Sequence, residues 1–178
     1  STVKAGADVK GTDSSAKVGV GASIGANVVV NTAVAEVEDG AKLTGGRDLA
    51  LSAKGDHTLI TEVTGGAAGA KVSITPVVAA TVAVNTATAR VGESATALGL
   101  TGKLSAASQL TDSITTKATG QAQGDVAVGA ALAATIAVDT ATSSIERDVS
   151  SSSAIDLSAS SKTLLKTGAT AGAKGAKA

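Results

Sequence analysis

Apolar residues fall on every second position along three stretches of this chain. From Val18 to Val37 they are Val18, Val20, Ile24, Val28 and Val30, and from Val72 to Val91 they are Val72, Ile74, Val78, Val82 and Val84. From Val126 to Ile145 they are Val126, Val128, Leu132, Ile136 and Val138. A period of two with β-branched side chains is what a strand that buries one face produces. The stretches also return at a fixed interval of 54 residues, from 18 to 72 and from 72 to 126. A long fixed period marks an array whose units stack on their neighbours. The pattern predicts an all-β parallel solenoid in which like segments of successive coils pair in register about 4.8 Å apart. Val28, Val82 and Ile136 are expected to form one core column of that stack.

The interval divides the chain into residues 1–17, the end of a preceding repeat, and three repeats at 18–71, 72–125 and 126–178, all in one continuous solenoid. Each repeat opens on the alternating stretch and reaches a polar corner, at 38–40, at 92–94 and at Arg147-Asp148 with the serines that follow. A shorter alternation comes next, ending at Ala53, Ala106 and Ala159, which lie 53 residues apart and so one short of the main period. Leu59, Ile60 and Val63 then recur as Ile114 and as Leu164 and Leu165, before a Gly/Ala segment closes the repeat. Residues 130–145 are rich enough in Ala for a helix, but their equivalent at 77–91 is rich in Val and Thr, which favour strands. Pro76 removes a ladder donor and predicts a bulge, a corner or a strand start at that point. The number of coils per repeat stays open. Three coils of about 18 residues is one solution, but residues 18–35, 36–53 and 54–71 do not resemble one another, so two coils or a single wide one also fit.

Composition narrows the function classes. Phe, Tyr, Trp, Met and Cys are all absent, which rules out a disulfide framework and thiolate metal sites and leaves no ring to stack on a base or a sugar. Lys+Arg and Asp+Glu are both 15, so nothing in the charge balance favours nucleic acid. An apolar content of 43% against 17% charge is too high for a disordered chain. No apolar run approaches the roughly 18 residues of a membrane span. The start at Ser1, without initiator Met or signal segment, is read as that of a mature product or of a piece of a longer chain.

The motif VxVxAxxxANxxVNTAxAxV, followed by a short LxLSA strand and a Gly/Ala segment, resembles repeats of very large bacterial surface adhesins of the filamentous-haemagglutinin-like and leukotoxin-like kinds. The resemblance covers essentially the whole chain. It implies a right-handed β-helical shaft, exported to the cell surface, that holds an adhesive tip away from the cell or builds a biofilm fibre. Shafts of this kind carry no catalytic residues. The absence of aromatics departs from the family, in which such residues cap or terminate the stack.

Few residues carry candidate chemistry. Asn31, Asn85 and Asp139 share one place in the three repeats, and stacked copies would form a side-chain ladder, with Asp139 interrupting it; a metal or ligand row is the alternative. Thr32, Thr86 and Thr140, with Thr88 and Thr142 two positions on, would suit an ice-binding face, although Val34 breaks the second column. Gly45-Gly46-Arg47-Asp48-Leu49 is similar to a calcium-binding glycine-rich repeat but lacks its second Gly-x-Asp and is read as a turn. His57, with Asp56 beside it and Glu62 nearby, is read as a solvated corner rather than a catalytic cluster, since none of the three recurs. A carbohydrate-active β-helix enzyme would need aromatic platforms and convergent carboxylates. The expectation is a non-catalytic extracellular structural repeat with no cofactor and no metal. Its partners would be neighbouring repeats of the same chain or copies stacked end to end on open strand edges, with a surface receptor unidentified.

Overall fold

The computed structural model describes residues 1–9, 17–69, 71–151 and 153–175. The expected features at residues 10–16, 70, 152 and 176–178, in the opening segment, the Gly/Ala turns and the serine run, lie outside the described residues. The strands are β1 (Thr2–Val9), β2 (Val18–Val20), β3 (Ser23–Val37), β4 (Leu49–Ala68), β5 (Val72–Val91), β6 (Leu98–Leu100), β7 (Leu104–Gly124), β8 (Val126–Ile145), β9 (Val149–Ser151) and β10 (Ile155–Gly175). No helix occurs among the described residues, so none is there to cross a membrane.

Every strand pair is parallel. One long sheet runs β1-β4-β7-β10; the other carries β2 and β3 on one side of β5 and β8 on the other. A short third sheet pairs β6 with β9, and Gly46 bridges to Leu100 beside it. The chain crosses one long sheet, turns a corner, returns through the other and steps up to the next level. It is a parallel β-solenoid in which each 54-residue repeat makes one wide coil, with two long sides and one short. Alternation runs unbroken through the whole of Val72–Val91, which leaves no corner at which a smaller coil could turn. The two apolar segments expected after each corner merge into single strands, β4, β7 and β10.

In the β3-β5-β8 sheet the register places Val28 on Val82 on Ile136 and Asn31 on Asn85 on Asp139. The other long sheet is offset differently, stacking Leu49, Leu104 and Ile155. Ala53 therefore lies over Ser108 and Ala159, while Ala106 pairs with Leu51 and Leu157, so the three alanines do not share a column. The corners at 38–48, 92–103 and 146–154 differ in length and shift the sheet that follows them. Ala106 is displaced by two positions from its expected partners, which preserves the faces because strand side chains alternate.

Pro76 sits inside β5 without a bulge, paired with Ala130. The break appears instead in the neighbouring strand, between β2 and β3. Alternate residues of a parallel strand bond to opposite neighbours. The Ile74 carbonyl accepts from the Gly21 amide at 3.0 Å, so Pro76, two positions on, faces the same side. Its missing N–H subtracts a bond from that side alone.

The interior corrects one expectation. Val28, Val82 and Ile136 form a column, but it is not core: Val28 is 71% exposed and Ile136 59%. The branched row faces outward throughout this sheet, and the inward row is smaller: Val77, Ala79, Thr81, Ala83, Asn85, Ala87 and Ala89 in β5, all buried. The opposite sheet sends Leu59, Val63, Leu110 and Ile114 inward, and all four are buried. Two rows of large side chains do not fit one sheet-to-sheet gap, so large faces small. A Cβ on Gly25 would lie 2.5 Å from Val63 Cγ2, and one on Gly65 2.6 Å from Val77 Cγ2. The cross-section tapers. At the Gly/Ala end a Cβ on Gly19 would meet the Ala68 carbonyl oxygen at 2.5 Å, whereas the corner end holds a cluster of Val37, Val91, Leu98, Leu100 and Leu104.

Candidate functional site

Two columns of polar side chains run through the slab between its apolar clusters. β3, β5 and β8 present Asn31, Asn85 and Asp139 inward, and the facing sheet presents His57, Asp112 and Thr163 in register. Asn31 Nδ2 donates to Asn85 Oδ1 at 2.8 Å. Asn85 Nδ2 donates both to Asp139 Oδ1 and to Asp112 Oδ2, each at 2.9 Å. Asp112 Oδ1 also contacts His57 Nδ1 at 2.7 Å, and the Thr163 hydroxyl donates to Asp139 Oδ2. The asparagine row is a bonded ladder with rungs across to the other sheet. Asp139 ends the run of amides and stays in the network as an acceptor.

Two carboxylates in one column, one buried and one partly so, influence each other's ionisation. Burial pushes the Asp112 carboxyl above its ordinary value; the bond to His57 opposes this and the neighbouring Asp139 adds to it. Burial also opposes the charge on Asp139, but hydrogen bonds from Thr163, Asn85 and Asp112 outweigh it and hold that carboxyl below its ordinary value. Asp112 is thus the member of the pair that keeps its proton to higher pH.

His57 is not at a solvated corner, as its sequence context predicts. It lies mid-strand in β4, half-buried, on the inward face. Adjacent strand residues face opposite ways, so Asp56 points outward, where it pairs with Lys54 at 3.4 Å. Glu62 sits near Lys4 and Lys117. His57, Asp56 and Glu62 do not converge. Asp112, which sequence reasoning passed over, is the carboxylate beside the imidazole, and its side chain is fully buried.

The second column is made of hydroxyls. Thr61 and Thr81 lie 2.7 Å apart, Thr116 donates to Thr81 at 2.7 Å, Thr135 donates to Thr116 at 2.8 Å, and Thr167 closes the chain at 2.8 Å. Its zigzag between the sheets gives buried hydroxyls the partners they need without water.

A cluster of charged side chains sits at the corners. Arg90 reaches Glu36 at 3.2 Å, Asp39 at 2.9 Å and Glu146 at 3.0 Å, joining three levels, and the Glu146 and Glu36 bonds push its guanidinium pKa up. Arg147 donates to the carbonyls of Ala41 and Glu38, at 2.6 and 2.9 Å, and to that of Gly92. A shallow acidic depression of about 480 Å³ nearby is lined by Asp39, Glu93, Ser94, Ala95 and Glu146. At the glycine-rich turn, Gly45 takes a positive φ of 73°, and Asp48 Oδ1 accepts from the Lys103 amide at 2.8 Å. That carboxylate is used on the next coil's backbone. No group of three or more His, Asp and Glu side chains able to hold a metal occurs among the described residues.

Thr32, Thr86 and Thr140 stack in register on the outward face, beside a column of Val34, Thr88 and Thr142. What the arrangement can do chemically is hold coils together: its polar groups bond to one another from level to level, buried at the middle level and open to solvent at β10. No family model, curated protein or solved structure matches the chain, so its function is argued from its own geometry.

Proposed function

We propose that this chain is a non-catalytic structural repeat, a segment of the shaft of a bacterial surface adhesin or of a matrix fibre, working outside the cell. The observation that carries the reading is the like-on-like stacking of the β3-β5-β8 sheet through three levels, reinforced inside by the Asn31–Asn85–Asp139 ladder and its rungs. Backbone bonds between coils run along the axis, so a pull along the shaft loads many parallel bonds at once. The surface location and the adhesin role rest on the resemblance of the repeats alone. The full burial of the Asp112 side chain argues against a catalytic role for that carboxylate.

The ends favour continuation into neighbouring repeats or end-to-end stacking. At one end Ile155, Leu157 and Leu165 of β10 are 44, 46 and 48% exposed. At the other, Ser23 Oγ and Asn27 Nδ2 are buried without a hydrogen-bond partner. A further coil on either edge would cover the first set and could supply partners to the second. Small-angle scattering on arrays of increasing repeat number tests the shaft. Length should grow by about 4.8 Å per added repeat, and arrays that collapse or bend into compact particles overturn the reading.

A second reading has one observation in its favour: five outward threonines in two adjacent columns of one sheet face. An ice-binding protein would show thermal hysteresis, lost on Thr86→Leu, whereas a structural shaft shows none.

A further inference from the structure

The outward face of the β3-β5-β8 sheet carries the branched row that composition alone would have buried. From Val18 to Val34, and at the equivalent outward positions of β5 and β8, there is no charged residue, and threonine is the only hydrogen-bonding side chain. Ile24 is 76% exposed and Leu132 60%. Seventeen residues at about 3.3 Å across three strands at about 4.8 Å give a footprint of roughly 800 Å². That is beyond the largest apolar patch of a typical monomer, about 300–600 Å². Two such footprints total roughly 1,600 Å², the size of a standard specific interface.

The relief of this face says what fits it. The columns Ile24–Val78–Leu132 and Val28–Val82–Ile136 are ridges; Ala26–Ala80–Ala134 is a groove beside them, and Pro76 with Ala130, next to Ala22 in the break before β3, makes a second, shallower one. A two-fold axis running along the coil axis, opposite the Gly25 column, reverses the strands. It carries position 24 onto 26 and position 28 onto 22 of a facing copy. Both ridges then meet grooves, Val20 meets Val30, and each level faces its own level. A two-fold axis along the strands instead sets every ridge on itself.

We propose that this face is a homotypic interface, on which a second copy of this chain packs in a two-fold arrangement with the two solenoids pointing the same way. A lipid surface is disfavoured, because interfacial elements anchor through aromatic side chains, and the chain has no Phe, Tyr or Trp. The other long sheet turns Ser105, Gln109, Thr115, Lys117 and Gln121 outward, so face-to-face packing pairs two copies and does not continue to a third.

Sedimentation equilibrium of the chain, of Val82→Lys and of a control, Ser113→Lys on the polar face, tests the proposal, with circular dichroism confirming that each is folded. The expected result is a dimer whose Kd rises at least about tenfold in Val82→Lys and does not move in the control. Because the chain has no cysteine, mixing Ile24→Cys with Ala26→Cys should give a mixed disulfide at the two-fold, a result that does not depend on Val82→Lys folding. A monomeric chain, or dimers unaffected by Val82→Lys and giving no mixed disulfide, as edge-to-edge stacking would, overturns the proposal. Flotation with phosphatidylcholine vesicles in place of dimerisation also overturns it, in favour of a lipid surface.

Discussion

Asn85 is the residue on which the interior polar network turns. Its amide donates both hydrogens to carboxylates on two different sheets and accepts from Asn31, so one side chain ties three levels together. Asn85→Ala leaves Asp112 and Asp139 short of a donor, and a loss of about 2–4 kcal/mol is expected in urea unfolding. Thr86→Ala, one position away and facing outward, should stay within about 0.5 kcal/mol. Asp112 gives a pH test with a definite sign. Its folded pKa is raised, so above the ordinary carboxylate value the folded chain holds a proton the unfolded chain has shed, and stability falls as pH rises through that window. Asp139, with a lowered pKa, contributes the opposite slope below its ordinary value. Asp112→Asn should abolish the fall and keep the rise, as read from urea midpoints between about pH 3 and about pH 7. A fall that survives in the variant refutes the assignment. The asparagine row was legible because it recurs at the repeat interval. Its partners were not: His57, Asp112 and Thr163 are three residue types at a different offset, set by corners of unequal length.

At the scale of elements, the strands and their stacking could be read from the sequence, but the inward face could not. Alternation says which residues share a side, and hydrophobicity assigns the branched side to the core; in β3 the space opposite Leu59 and Val63 decides otherwise. The large-against-small pairing of the sheets can be measured. Gly25→Ala places a Cβ 2.5 Å from Val63 Cγ2 and should cost about 1–3 kcal/mol. Val63→Ala should cost about 2 kcal/mol through lost burial. If the two side chains compete for one space, the double variant is less damaged than the sum by about 1 kcal/mol or more in a double-mutant cycle. Strict additivity would separate the two positions. Pro76 was legible as a defect in the ladder but not as one displaced to its neighbour, because alternation along a strand does not tell which side a backbone bond serves.

For the whole molecule, stability belongs to interfaces between levels rather than to any single level. Amides of β10, with its half-exposed inward leucines, should exchange with solvent before those of β5 and β7, which have strands on both sides. Duplicating the three repeats into six should raise the melting temperature by several degrees, since each added coil creates one more inner contact. Uniform exchange, or an unchanged melting temperature, would mean that the levels do not cooperate in this way. One coil per repeat also has a geometric consequence. Long strands of 20 residues span about 66 Å, while each level adds only about 4.8 Å of height, so three levels make a plate wider than it is tall. Height overtakes width only after about fourteen levels. A chain built this way gains breadth before reach, like a plank laid up on edge, and resists bending across its width long before it extends far along its axis.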